Sequence, residues 1–191
     1  MKPTLVESDF EEAAGALGCD VAAIKAVAEV ESAGGGFNAD DSLKILFEGH
    51  IFHKYTQGRF DVAHPTLSYP VWTRVHYGKD QFAEHCRLKA AVELDPVAAL
   101  MSTSFGKFQI MGFNFPMCGF ASVDEFVHSL SIGEHEHLAA FVEFIEHRGL
   151  ADELREHRWA DFARLYNGAG YAQNRYDVKL ASAYTKFSTR R

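Results

Sequence analysis

Ala22-Ala-Ile-Lys-Ala-Val-Ala-Glu-Val-Glu-Ser32 contains no helix breaker. At about 100° per residue, Ile24, Val27, Ala28 and Glu31 share one face, while Lys25 and Glu29 point away from it. Glu31 is thereby predicted to face the core and Glu29 to face water. A carboxyl on an apolar face is disfavoured in its charged form, so its pKa should rise toward the range where it donates a proton near neutral pH. Glu31 is therefore a candidate general acid, although the pattern also fits a core-edge glutamate held by a backbone amide or an arginine. Ser32 and the run Gly34-Gly35-Gly36 then end the helix and leave open backbone beside the carboxyl.

The chain has 191 residues and is 47% hydrophobic, enough for one well-filled core, and a single domain over residues 1–191 is expected. No apolar run approaches the roughly 20 residues that span a bilayer, and Met1 to Asp9 carries no continuous hydrophobic signal segment. A soluble chain made in the cytosol is the expectation. Cys19, Cys86 and Cys118 are odd in number and widely spaced, and read as reduced, mostly core thiols. The net charge of −7 argues against a nucleic-acid binder. From Arg175 to Arg191, however, five residues are positive and one negative. Such a basic end fits contact with an anionic surface such as lipopolysaccharide, or a frayed, solvated terminus.

Outward from the first stretch, Ser8-Asp9-Phe10-Glu11 fits a capping box for a helix running to Leu17 and stopped by Gly18, and Asp20 can cap the next. Residues 38–42 read as polar loop, and Leu43 to Glu48 as a short strand running into a carboxylate. Gly49 to Gly78 reads as an excursion of loops, a short helix and a small hairpin. After Asp80, a helix with Phe82, Cys86, Leu88 and Val92 inward is predicted, broken at Asp95-Pro96. Ser102 to Pro116 looks like a packed, aromatic loop. Ser122-Val-Asp-Glu125 is a second capping box. Leu138, Phe141, Val142 and Ile145 form a helical stripe closed by Gly149. Trp159 to Tyr166 ends at Asn167-Gly168, and Ala172 to Phe187 forms the last helix. The expected architecture is mainly α, with a small irregular or β-containing insert around residues 43–78.

Five blocks, in this order, carry more than any one alone: Val30-Glu-Ser-x-Gly34, Lys44-Ile-Leu-Phe-Glu-x-His50, Ser104-Phe-Gly-x-Phe-Gln-Ile-Met-Gly112, Tyr166-Asn-Gly168 and Tyr176-Asp-Val-Lys-Leu-Ala181. Together they resemble the N-acetylmuramidase family of phage endolysins, within the superfamily of goose-type lysozymes and lytic transglycosylases. The resemblance implies a lysozyme-like helical domain with Glu31 as catalytic acid and Glu48 as second carboxylate. It also implies Gln109, Tyr166 and Asn167 along the sugar subsites, with Ser104 there or holding the loop. It departs at Gly49, where the family pattern carries a basic residue.

The residues support the same pair independently, since glycosidic cleavage needs one carboxyl to protonate the leaving oxygen and a second to activate water or stabilise the sugar cation. Each has another reading: Glu48 and Gln109 as local loop anchors, Asn167 as a helix stop, Tyr166 as core. Ten histidines invite a metal reading, yet Glu134-His-Glu-His137 lacks the His-Glu-x-x-His order, and His50 with His53 lacks a third ligand. The expected function is hydrolysis of the bond between N-acetylmuramic acid and N-acetylglucosamine in peptidoglycan, without a cofactor. The expected actor is a monomeric lysin made in the bacterial cytoplasm and acting on the periplasmic wall. The alternatives are a lytic transglycosylase leaving 1,6-anhydromuramyl ends and a peptidoglycan-binding module without turnover.

Overall fold

The computed structural model describes residues 1–31, 34–168, 172 and 174–189, without the side chain of Asn167. The chain opens with α1 (Glu7–Leu17) and α2 (Val21–Glu31). Gly18, at φ 65°, closes α1 in the left-handed region that glycine tolerates, and Asp20 caps α2 by accepting from the Ala23 N–H at 2.8 Å. The capping box predicted at Ser8 is displaced: α1 starts earlier, with Val6 at the cap, and Asp9 accepts from the Val6 N–H at 2.8 Å. Valine has no side-chain acceptor, so only the returning half of the box exists.

There follow β1 (Ile45–Phe47), α3 (Gly49–Thr56), α4 (Gln81–Leu94), α5 (Pro96–Met101), β2 (Thr103–Phe105) and β3 (Ile110–Met111). A 3-10 helix over Gly112–Cys118 leads to α6 (Val123–Leu130), α7 (Glu134–His147), α8 (Ala151–Arg155), α9 (Trp159–Asn167) and α10 (Tyr176–Ser188). The chain is mainly α, as predicted. Its antiparallel sheet runs β1-β2-β3, pairing Leu46 with Ser104 and Ser104 with Met111. The excursion from Gly49 to Gly78 holds α3 and turns; no hairpin forms among its residues. The partner strands come instead from the block read as loop, because strands of two and three residues are too short to show alternation. Gly106 and Gln109, both at positive φ, turn the chain between them.

Two apolar clusters flank this sheet. The larger joins α1, α2 and α6 to α10 through Leu17, Ile24, Phe126, Phe141, Phe162 and Leu180. The smaller packs Phe47, Phe52, Leu67, Ala91, Ala98 and Ala99 beneath α3, α4 and α5. Strand β1 contributes Ile45 to the first and Phe47 to the second. The predicted α7 stripe of Leu138, Phe141, Val142 and Ile145 is buried throughout. Up to Ser188 the basic end is an ordered helix: α10 packs on α2 and α9, with Leu180 and Ala183 buried and Lys186 paired to Glu29, while Arg190 and Arg191 lie outside the described residues.

The stripe predicted for α4 holds in its second half, where Leu88 and Val92 pack half-buried against the core clusters, and fails in its first. Phe82 is 78% exposed and Cys86 is exposed, while Glu84 and Ala91 are buried. The helix uses polar side chains to serve the free edge of β1, a job that a hydrophobic pattern cannot reveal. Gln81 accepts from the Ile45 N–H at 2.9 Å and donates to its carbonyl at 3.0 Å; Glu84 accepts from the Phe47 N–H at 3.2 Å; His85 bonds the Leu43 carbonyl at 2.8 Å; Arg87 donates to the Phe47 carbonyl at 3.2 Å. Side chains thus replace a fourth strand and satisfy an edge that would otherwise be open. Gln81→Leu should therefore cost about 1–3 kcal/mol in urea denaturation, the price of stranding backbone groups of Ile45. Phe82→Ser should change stability by less than about 0.5 kcal/mol.

Candidate active site

Glu31 is the last residue of α2 and is half-buried, with Ile24, Val27 and Ala28 inside and Glu29 exposed, as the helical face required. Two phenols feel its charge. Burial first, and then Glu31, push the Tyr166 hydroxyl well above its ordinary pKa, and the same two causes raise that of Tyr176 at the start of α10. Ser32 lies outside the described residues.

From Gly36 the chain doubles back into β1. The Lys44 N–H donates to the Gly36 carbonyl at 2.9 Å, Phe37 bridges Leu43, and the Asn38 N–H donates to the Ser42 carbonyl at 2.8 Å. This turn links the loop after Glu31 to the strand that delivers Glu48. It is gripped from α7. The buried Glu134 accepts from the Gly36 N–H at 2.6 Å and lies 3.2 Å from Lys107 Nζ, which also donates to the Gly34 carbonyl at 3.2 Å. His137 bonds the Leu130 carbonyl through Nε2 (2.7 Å) and accepts from the Lys107 N–H at Nδ1 (3.1 Å). A Cβ on Gly36 or Gly106 would overlap the His137 ring, so both glycines are required by close approach. The dense Glu-His-Glu-His run thus serves as a loop anchor, and among the described residues no group of three or more His, Cys, Asp or Glu side chains is placed to hold a metal ion.

Glu48 is the N-cap residue of α3, and its own N–H donates to the Ser102 carbonyl at 2.8 Å. Its Oε1 accepts from the Tyr77 hydroxyl at 2.7 Å. Its Oε2 is buried 3.2 Å from His50 Nδ1, and neither of these two atoms has a hydrogen-bond partner among the described residues. Burial, then the hydrogen bond and charge of Glu48, drive the Tyr77 phenol above its ordinary range. The basic residue that the resemblance leads one to expect at position 49 has no room: a Cβ there would overlap the Tyr69 ring and the Leu67 carbonyl. No basic side chain fits. Gly49→Arg should destabilise the chain by at least about 1–3 kcal/mol, read from the thermal midpoint.

The remaining predicted residues fall into two groups. Ser104, buried in β2, donates to Gln109 Oε1 at 2.9 Å and approaches the Leu46 carbonyl at 3.4 Å; Gln109 Nε2 donates to the Gly106 carbonyl at 2.8 Å. Both side chains thereby brace the β2-β3 turn next to β1, while Gln109 itself is exposed. Tyr166 stacks on Phe162 at 5.5 Å, meets Phe141 and Phe144 edge-on, and donates to the Phe108 carbonyl at 3.3 Å. Its ring is engaged with the core, and its hydroxyl end lies toward Gln109's neighbour and Glu31. Asn167 ends α9 as read, and its side chain lies outside the described residues. Tyr77, Tyr69, Glu134 and His137 escaped the sequence reading. Tyr77 sits in the excursion without periodicity, and Glu134 and His137 fall in a run whose composition suggests metal ligands rather than loop anchors.

A mainly helical chain with a small antiparallel sheet, one glutamate ending α2 and another just beyond β1, has the lysozyme-like fold. The N-acetylmuramidase family profile matches residues 20–188, and the chain belongs to that family. It is similar to the crystal structure of a Burkholderia AP3 phage endolysin, with 39% identity and a TM-score of 0.90 over 97% of this chain and 72% of that one. Comparison with curated proteins gives no match.

Proposed function

We propose that this chain is a peptidoglycan hydrolase of the endolysin type that cleaves the β-1,4 bond between N-acetylmuramic acid and N-acetylglucosamine. Glu31 protonates the departing oxygen, and Glu48 activates water or stabilises the positive sugar. The observation that carries this reading is the condition of Glu48. One oxygen accepts from the Tyr77 hydroxyl at 2.7 Å and the other lies 3.2 Å from His50 Nδ1, so the carboxylate just beyond β1 is held in one orientation, as a second catalytic carboxylate needs to be. Glu31 and Glu48 both lie inside the family match, and the Gly36–Lys44 pairing holds their two segments together. Digestion of purified peptidoglycan followed by mass spectrometry of the soluble muropeptides tests the proposal. Hydrolysis gives reducing muramyl ends. Products lighter by one water would assign a lytic transglycosylase, and wall binding without soluble products a binding module.

A further inference from the structure

We propose that Trp72, in the loop between α3 and α4, is the stacking platform of a sugar subsite beside Glu48. Val71, Trp72 and Val75 are 72%, 54% and 83% exposed, and none belongs to either core cluster. Tyr77 ties this strip to the carboxylate. Its hydroxyl donates to Glu48 Oε1 at 2.7 Å, and the Trp72 side chain lies close enough to the same phenol to pull its pKa down, against the larger upward push of burial and Glu48. The indole therefore sits beside the Tyr77–Glu48 pair while more than half of the residue stays in solvent. Arg74 brings its guanidinium carbon to 5.6 Å from the indole centroid.

An exposed aromatic plane with polar groups at its rim matches a pyranose ring, whose C–H face packs on the π surface while its hydroxyl and acetamido edges seek donors and acceptors. The occupant is a sugar of the glycan strand, because the platform is continuous through Tyr77 with a carboxylate assigned to that substrate. The inference rests on the function proposed above.

The chain has two tryptophans, Trp72 and Trp159, so Trp159→Phe in a Glu31→Gln background leaves Trp72 as the sole indole reporter. Titration with soluble, uncrosslinked glycan fragments of peptidoglycan should give a saturable change in its fluorescence. In the active chain, Trp72→Ala should raise the half-saturating fragment concentration about tenfold, with turnover at saturation within about twofold, and Trp72→Phe should restore most of the loss. A silent Trp72 would overturn the proposal, as would an unchanged half-saturation for Trp72→Ala, or a spectral shift with anionic vesicles but none with glycan. The two readings fail separately. Turnover surviving in Glu31→Gln removes the acid assignment while the Trp72 signal still reports the subsite, and a dead Glu31→Gln with a silent Trp72 removes the subsite alone.

Discussion

Glu31→Gln lowers the release of soluble fragments from purified peptidoglycan by about 10²–10⁴-fold, the contribution of a positioned general acid, and leaves the thermal midpoint nearly unchanged. The carboxamide keeps the shape of the side chain at the end of α2 but has no proton to give the leaving oxygen. The hold of the helix on the core runs through Ile24, Val27 and Ala28, which the substitution leaves in place. A second readout belongs to the same variant. Because the charge of Glu31 raises the pKa values of Tyr166 and Tyr176, its removal should lower both phenol titrations followed by ultraviolet difference spectroscopy. Glu29→Gln, which loses only the exposed pair with Lys186, should clear wall at close to the wild-type rate. Full activity in Glu31→Gln would end the assignment of position 31 as the acid.

The elements that the sequence displayed openly are those in which one chemistry dominates a long segment. The α2 and α7 stripes, the Gly18 and Gly149 stops and the Asp20, Asp95 and Ser122 caps all stand where periodicity and cap chemistry put them. Residues that bond backbone at a distance were illegible. Gln81, Glu84, His85 and Arg87 look like the solvent face of a helix until the edge of β1 is placed beside them. Phe82 reads as core for the same reason. At the site, the order of the five blocks pointed to Glu31 and Glu48, but partners depended on chain crossings that no local pattern encodes. Tyr77 reaches Glu48 from 29 residues away, and Glu134 reaches Gly36 from 98.

That last contact predicts the largest loss of stability. Glu134→Ala should cost about 3–5 kcal/mol in chemical denaturation, because it strips the partner from a largely buried Lys107 ammonium and leaves two backbone donors, Gly36 N–H and Leu5 N–H, facing a void. The loop it frees follows Glu31, so wall clearance should fall by up to about 10²-fold even at temperatures where the variant stays folded, as expected for a displaced acid. The pH dependence follows from the same cluster. Burial alone would raise the Glu134 carboxyl, but the Gly36 N–H and Lys107 hold it below the usual carboxylate range, so its contribution is complete above the unfolded pKa and is lost as pH falls through the folded one. Burial holds the His137 imidazole below its ordinary value, against its bond to Leu130. Below about pH 6.5 the unfolded chain takes up a proton that folded His137 refuses, so stability already declines there, before any carboxylate titrates. Protonation would also cost Nδ1 the lone pair that accepts from Lys107 N–H. The thermal midpoint of the native chain should therefore drop between pH 7 and 5 more steeply than that of His137→Gln, and parallel slopes would show that the acid sensitivity lies elsewhere.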